Sequence, residues 1–199
     1  TVDALAARLN ADALAAGAPD PGYQGSLVVG NDIGGIDVGF IWKAARFASV
    51  TLEQAGKDTT FTNPNTGGQE LLNDRPPLLM RARATRPNGQ AFDLVVIVNH
   101  LRSLNSLTST EPNPTNPAAC LPGALCTEGA RVRAKRQAQA EYLAQLVAGL
   151  QAAQPAAKIL LVGDFNAFDV SDGYVDVIGT IKGTPAPPEQ VVVASADLV

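Results

Sequence analysis

Two runs of aliphatic residues in this chain each end abruptly at a group of polar residues. Residues 94–98 run into Asn-His-Leu-Arg-Ser at 99–103, and residues 159–162 run into Gly-Asp-Phe-Asn-Ala at 163–167. A continuous Val/Ile/Leu run of this length is typical of a strand buried on both faces. A residue that follows such a strand is held at the rim of the sheet but is open to a ligand. The pattern therefore predicts the edge of an active site, with His100, the only histidine in the chain, on one strand end and Asp164 on the other.

The remaining pattern predicts two helices, several strands and two long loops. The helices are expected over 1–16 and 128–153, the strands over 24–30, 36–42, 47–52, 78–85, 91–99 and 158–163, and the loops over 54–77 and 103–128. The first helix is predicted to be amphipathic, with Val2, Leu5, Leu9 and Leu14 as its apolar positions. Hairpin-paired strands followed by a strand–helix–strand unit predict an α/β fold with a layered sheet, in a single domain over 1–199.

The hairpin between the strands at 78–85 and 91–99 has the clearest local signal. The connecting residues are Arg-Pro-Asn-Gly, and Asn-Gly between two strand patterns strongly favours a tight turn.

The long helix carries polar residues on its apolar stripe. The apolar positions are Val132, Leu143, Leu146, Val147 and Leu150. Arg136 and Gln139 fall on the same side, and a polar group that is turned inward needs a partner. Either Arg136 ties the helix to a buried carbonyl or carboxylate, or its stem packs while its charged end reaches solvent.

Composition and charge restrict the function classes. The chain has 199 residues, 46% hydrophobic and 17% charged, which is typical of a globular protein with one sizeable core. A net charge of −4 argues against a basic protein that coats nucleic acid, but it does not exclude an enzyme that grips phosphates locally. Two basic clusters, residues 81–86 and 131–136, are predicted to be solvated faces.

The two cysteines leave two alternatives open. Cys120 and Cys126 are separated by five residues that include Pro and Gly, so a local disulfide is sterically reasonable and would suggest an exported protein. Two unrelated free thiols are the alternative.

The polar clusters at 99–103 and 163–167 resemble motifs of the endonuclease/exonuclease/phosphatase superfamily, which has the DNase I-like fold. Further segments, 31–40 and 73–78, together with Arg-Gln-Ala at 136–138 and the two-cysteine loop, are similar to the branch of large bacterial extracellular nucleases. The resemblance extends over roughly residues 1–180. It implies a layered α/β sandwich and a secreted or periplasmic protein.

The resemblance also exposes a gap. The family carries a metal-binding Glu in a Gln-Glu motif before the first helix seen here, and an Asp-His pair near its C-terminus, and this chain has neither. We therefore expect the chain to be an internal piece of a longer protein, and to bind metal weakly or not at all by itself.

The matched motif positions imply roles for individual residues. Asp164 is expected to be the base that orients or deprotonates water and to be a metal ligand, and Asn166 to donate to a phosphate oxygen or ligate metal. His100 is expected to hydrogen-bond the scissile phosphate. Asn99, Arg102 and Ser103 are candidate substrate contacts. An Asp and an Asn after a strand are also typical of turns, but the surrounding Gly-Asp-Phe-Asn-Ala favours function.

The implied activity is metal-dependent hydrolysis of phosphodiester bonds, with Mg²⁺, or another divalent cation such as Mn²⁺ or Ca²⁺, as cofactor. The expected enzyme is a secreted nuclease that acts on nucleic acid. The alternatives are a phosphomonoesterase or a lipid phosphodiesterase on the same fold, or an inactive binding module that keeps the scaffold. No membrane span and no obligate protein partner are predicted.

Overall fold

The structure is a computed structural model, and it describes residues 1–195. It shows an α/β protein with α-helices and β-sheets. The helices are α1 (Val2–Ala15), α2 (Glu128–Ala153) and α3 (Val177–Lys182), and the strands are β1 (Tyr23–Leu27), β2 (Gly39–Lys43), β3 (Phe47–Gln54), β4 (Thr60–Thr62), β5 (Gln69–Leu71), β6 (Leu78–Thr85), β7 (Ala91–His100) and β8 (Lys158–Asp164).

The chain divides into two compact units. Unit 1 consists of residues 1–55, 75–99 and 154–163, and unit 2 consists, among the described residues, of 56–74, 100–153 and 164–195. Both β7 and β8 lie in unit 1 except for their last residues, His100 and Asp164, which belong to unit 2. The single domain over 1–199 stays a prediction.

Unit 1 is built on a sheet with the strand order β3-β6-β7-β8. The hairpin predicted at Asn88-Gly89 is confirmed, since β6 pairs antiparallel with β7 up to Thr85 and Ala91. Gly89 has a φ of 83°, a left-handed conformation that glycine adopts without strain.

A smaller antiparallel hairpin, β1–β2, packs against α1 in the same unit. Asn10 on α1 holds this contact, since its side chain accepts from the Tyr23 amide at 2.8 Å and donates to the Tyr23 carbonyl at 2.9 Å. Strand β2 begins three residues later than the predicted Ile36. The Asp37 carboxylate accepts from the Gly30 amide at 2.7 Å, so a side chain takes up the backbone donor that a longer β1–β2 ladder would use.

The prediction that both aliphatic runs are buried on both faces is wrong. Within the run 94–98 on β7, Val95 and Ile97 are buried and the residues between them are half-buried. Strand β8 is at the edge of the sheet, and Leu160 and Val162 on it are 53% and 40% exposed within the described chain. One face of each strand is therefore more exposed than a continuous apolar run predicts.

Helix α1 is confirmed, but its predicted apolar stripe is not buried. Ala6 is its buried residue, whereas Leu5, Leu9 and Leu14 are exposed. The helix contacts β1 and β2, with Val2 close to Gly25 and Gly39 on these strands.

The loop predicted over 54–77 contains a short hairpin. Strands β4 and β5 pair antiparallel, with Phe61 opposite Glu70. Each strand has three residues, which is too short for a hydrophobic alternation to be recognised in the sequence.

Helix α2 matches its predicted bounds and forms the centre of unit 2. Ala140 and Leu143 on α2 pack with Leu101, Val175 and Val177 in a buried cluster. Helix α3, which the sequence pattern does not indicate, has six residues. It begins after Asp176, whose side chain accepts from the Gly179 amide. This core places α2 next to the segment that follows β7.

The loop over 103–128 is largely irregular, as predicted, and it contains a disulfide between Cys120 and Cys126. Disulfides persist in oxidising compartments, so this pair is compatible with an extracellular location. Among the described residues, no helix is long and apolar enough to span a membrane.

Candidate active site

His100 and Asp164 meet where β7 and β8 end. The His100 Nε2 atom lies 3.8 Å from the Asp164 Oδ2 atom, and the two side chains are 28% and 62% exposed. The amide of Leu101 donates to the Asp164 carbonyl at 3.0 Å, which continues the contact between the two strand ends. The structure therefore presents an imidazole and a carboxylate side by side, both accessible to a solute from water.

The segment after β8 is held in a tight turn by Asp164. The Asp164 Oδ1 atom accepts from the Asn166 amide at 2.8 Å, and Asn166 has a φ of 47°. Asn is the residue type, after Gly, that best tolerates this left-handed conformation. The turn that the sequence allowed for Asp164 and Asn166 is thus present, and it fixes the carboxylate that faces His100.

Asn166 also reaches across to the segment after β7. Its Nδ2 atom donates to the Leu101 carbonyl at 3.0 Å. Together with the Leu101 amide bond to Asp164, this joins the two segments through backbone and side-chain hydrogen bonds. Asn166 therefore has a structural contact through its nitrogen, while its amide oxygen is the atom that suits a cation.

Helix α2 fixes the next peptide of the same segment. The Gln139 Oε1 atom accepts from the Arg102 amide at 2.8 Å, and the Gln139 Nε2 atom donates to the Leu72 carbonyl at 2.9 Å. The Arg136 guanidinium donates to the Arg102 carbonyl at 2.6 Å and pairs with Asp172 at 3.3 Å. Of the alternatives for Arg136, the structure shows the buried one, with 1% of the residue exposed.

The electrostatics of Arg136 follow from this burial. Burial lowers the pKa of Arg136, the Asp172 carboxylate opposes that effect, and the nearby charge of Arg102 adds to the lowering. Asp172 was not among the predicted site residues. The signal that could have indicated it is a second Asp in the loop after β8, in a chain whose long helix has an inward-facing Arg.

The prediction that the basic cluster at 131–136 is a solvated face is wrong. Its four basic residues are half-buried or buried, and three of them, Arg131, Lys135 and Arg136, pair with acidic side chains. Arg131 donates to both Glu128 oxygens at 2.8 and 2.6 Å and to Glu70 at 2.8 Å. The Lys135 ammonium lies 2.8 Å from Asp74. The acid partners come from distant parts of the sequence, which a charge run alone does not reveal.

Glu128 at the start of α2 is held in its charged form. The hydrogen bond from Arg131 lowers the pKa of Glu128 most, burial opposes it, and the Asn113 amide and the Arg102 charge lower it further. The same pairing raises the pKa of Arg131. The side chain of Arg102 is thus close enough to Glu128 and Arg136 for its charge to be felt by both.

The remaining predicted residues differ in accessibility. Asn99 belongs to unit 1 and is 1% exposed, and its Nδ2 atom donates to the carbonyls of Ile97 and Val162 at 3.1 and 3.3 Å. These bonds give Asn99 a structural role between β7 and β8. Ser103 is half-buried. Substrate contacts by Asn99, Arg102 and Ser103 stay predictions.

The donor set for a metal ion is small. Within residues 1–195, no group of three or more His, Cys, Asp or Glu side chains is arranged to hold a metal. Asp164 offers a carboxylate and Asn166 an amide oxygen from the same turn. This pair fits Mg²⁺, which takes oxygen ligands and commonly keeps several waters beside one or two carboxylates.

Comparison with protein-family models, with curated proteins and with solved structures finds no match for this chain. The family resemblance therefore rests on the sequence motifs.

Proposed function

We propose that this chain carries the catalytic residues of a divalent-metal-dependent phosphodiesterase, with nucleic acid as the substrate class. The observation that supports this most is the distance of 3.8 Å between the His100 Nε2 atom and the Asp164 Oδ2 atom at two adjacent strand ends. Phosphodiester hydrolysis needs a group that takes a proton from water, and a donor for the phosphate oxygens where negative charge grows. An accessible carboxylate beside an imidazole supplies both.

In the proposed mechanism Asp164 orients a water molecule and accepts its proton as the oxygen attacks phosphorus. The bond from phosphorus to the leaving oxygen breaks, and that oxygen takes up a proton from solvent. His100 donates a hydrogen bond from Nε2 to a non-bridging phosphate oxygen, and in its protonated form it adds a positive charge there. Asn166 keeps the Asp164 turn against the Leu101 segment, so the two catalytic side chains stay at one spacing. When bound at Asp164 and Asn166, Mg²⁺ would neutralise charge on the phosphoryl group and the leaving oxygen.

Location and substrate follow from the same reasoning. We propose a secreted or periplasmic enzyme, which agrees with the Cys120–Cys126 disulfide. Arg102, two residues after His100, is the candidate contact for a substrate phosphate.

The experiment is a hydrolysis assay on the purified full chain with plasmid DNA, bis(p-nitrophenyl) phosphate and p-nitrophenyl phosphate, each with Mg²⁺ and with EDTA. The proposal predicts Mg²⁺-dependent cleavage of the plasmid and of the diester. Preferred cleavage of the monoester would instead favour a phosphomonoesterase. Absence of hydrolysis of all three, at every divalent ion tried, would contradict the proposal for this chain.

A further inference from the structure

Arg133 differs from the other basic residues in the first half of α2. Arg131, Lys135 and Arg136 each form an ion pair with an acidic side chain. Arg133 is 9% exposed and has no such pair within residues 1–195. Charged side chains are almost never buried to this extent unless they are paired, so its charge calls for an anion.

The contacts that Arg133 does make are with neutral groups. Its Nη1 atom donates to the Leu107 carbonyl at 2.9 Å, and its guanidinium carbon lies 5.5 Å from the centre of the Tyr174 ring. Its Nε atom is buried and has no hydrogen-bond partner in the described part of the chain. A carbonyl and a ring face stabilise part of the charge, but neither of them carries a negative charge.

Arg133 lines a pocket of about 270 Å³ in unit 2. The other lining residues include Asn65, Leu125, Ala134, Val192 and Val193. No carboxylate is among these lining residues. The volume lies just below the range of about 300–1,000 Å³ that is typical of drug-sized ligands, so a smaller molecule is favoured.

Asn65 lines the pocket but offers it no accessible polar atom. Asn65 is fully buried, and its Nδ2 atom donates to the Thr127 carbonyl at 2.9 Å. Its Oδ1 atom is buried without a donor among residues 1–195. The charge of Arg133 is therefore the polar feature that a ligand can recognise here.

We propose that this pocket binds a small carboxylic acid with a branched apolar tail, such as isocaproate. The carboxylate pairs with the Arg133 guanidinium, whose charge no acidic side chain within residues 1–195 neutralises. The tail packs against Leu125, Val192 and Val193. The site is independent of His100 and Asp164, so it stands whether or not the phosphodiesterase proposal does.

The chemistry of the ligand is tested by titrating the full chain with α-hydroxyisocaproate, isocaproate and isohexyl alcohol. Binding is monitored by protein NMR chemical shifts or by calorimetry. Isocaproate lacks the hydroxyl, and the alcohol lacks the carboxylate. We expect both acids to bind with similar affinity and the alcohol to bind about tenfold or more weakly, since the alcohol lacks the charge that pairs with Arg133. Equal binding of acid and alcohol, or no binding of either, would overturn the proposal.

The protein side uses a matched pair at the pocket rim. Val192 is 58% exposed, so Val192→Asp and Val192→Asn leave the core intact and differ only in charge. We expect Val192→Asp to bind the acid at least about threefold more weakly than Val192→Asn, with a smaller difference at high salt. Ala134→Phe, which fills the pocket from α2, should abolish binding with the circular dichroism spectrum unchanged. Identical affinities in all three variants would place the ligand elsewhere and overturn the assignment.

Discussion

The Arg136 guanidinium donates to the backbone carbonyl oxygen of Arg102 at 2.6 Å. Because Gln139, one turn along α2, accepts from the amide of the same Arg102, the helix holds that peptide from both sides. His100 lies two residues earlier. Helix α2 therefore does more than bury its apolar residues. It also fixes the backbone next to the proposed catalytic histidine.

Replacing Arg136 by Gln should destabilise the protein strongly. The substitution leaves Asp172 buried without its cation, and loss of one partner of a buried pair costs about 3–5 kcal/mol. The free energy of unfolding in urea measures this directly. Arg83→Gln is the matched control, because Arg83 pairs with Asp93 on the surface and such a pair contributes about 1 kcal/mol or less. Equal losses in the two variants would contradict the structural role of Arg136.

Gly163 should not tolerate a side chain. Its φ is 116°, and a Cβ atom there would clash with the Asn99 carbonyl oxygen. Strain in such a conformation costs about 1–3 kcal/mol before the clash is counted. Gly163→Ala should therefore lower the midpoint of thermal unfolding.

Gly149→Ala is the control for that measurement. Gly149 lies within α2, and nothing is within 4 Å of where its Cβ would be. Alanine stabilises a helix interior by about 0.5–1 kcal/mol relative to glycine, so this variant should melt higher than the parent. A midpoint shift in the same direction in both alanine variants would contradict the close contact between Gly163 on β8 and Asn99 on β7.

Glu128 should make stability depend on pH in the acid range. Arg131 lowers the pKa of Glu128 in the folded protein below its usual 4.5. The stabilisation is therefore fully present above pH 4.5, the value near which the unfolded chain titrates, and is lost as the pH falls through the lower folded pKa. Between these two values the folded chain keeps Glu128 charged while the unfolded chain protonates it.

The measurement compares the parent with Glu128→Gln by urea unfolding at a series of pH values. The difference in unfolding free energy should be largest at neutral pH and should shrink towards its acid limit. A difference that stays constant from neutral to strongly acid pH would show that Glu128 does not titrate between the two states.

The parts of the fold that were predictable have strong local signals. Helix α2 has its predicted bounds because a long apolar repeat begins after Thr127, whose hydroxyl accepts from the Ala130 amide. The β6–β7 hairpin follows from Asn88-Gly89. The meeting of His100 with Asp164 was predicted from two strand ends, because polar residues after adjacent strands collect at one edge of the sheet.

The parts that were not predictable depend on distant partners. Arg131 and Lys135 are held by Glu70 and Asp74, each 61 residues away, so a charge run that looked solvated is half or fully buried. The extent to which β8 is buried also depends on tertiary packing. Its Leu160 is exposed, although the run that contains it has the apolar content of a buried strand.

The central claim is that Asp164 is the proton acceptor in phosphodiester hydrolysis. Asp164→Ala is compared with Asp169→Ala, which removes an exposed acid five residues along the same segment that pairs with Lys182. We measure the Mg²⁺-dependent rate on bis(p-nitrophenyl) phosphate and on plasmid DNA. Loss of a general base reduces the rate by about 10²–10⁴-fold, so Asp164→Ala should fall by that factor while Asp169→Ala stays at the parent rate. Retention of the parent rate by Asp164→Ala, or an equal loss in both variants, would contradict the account.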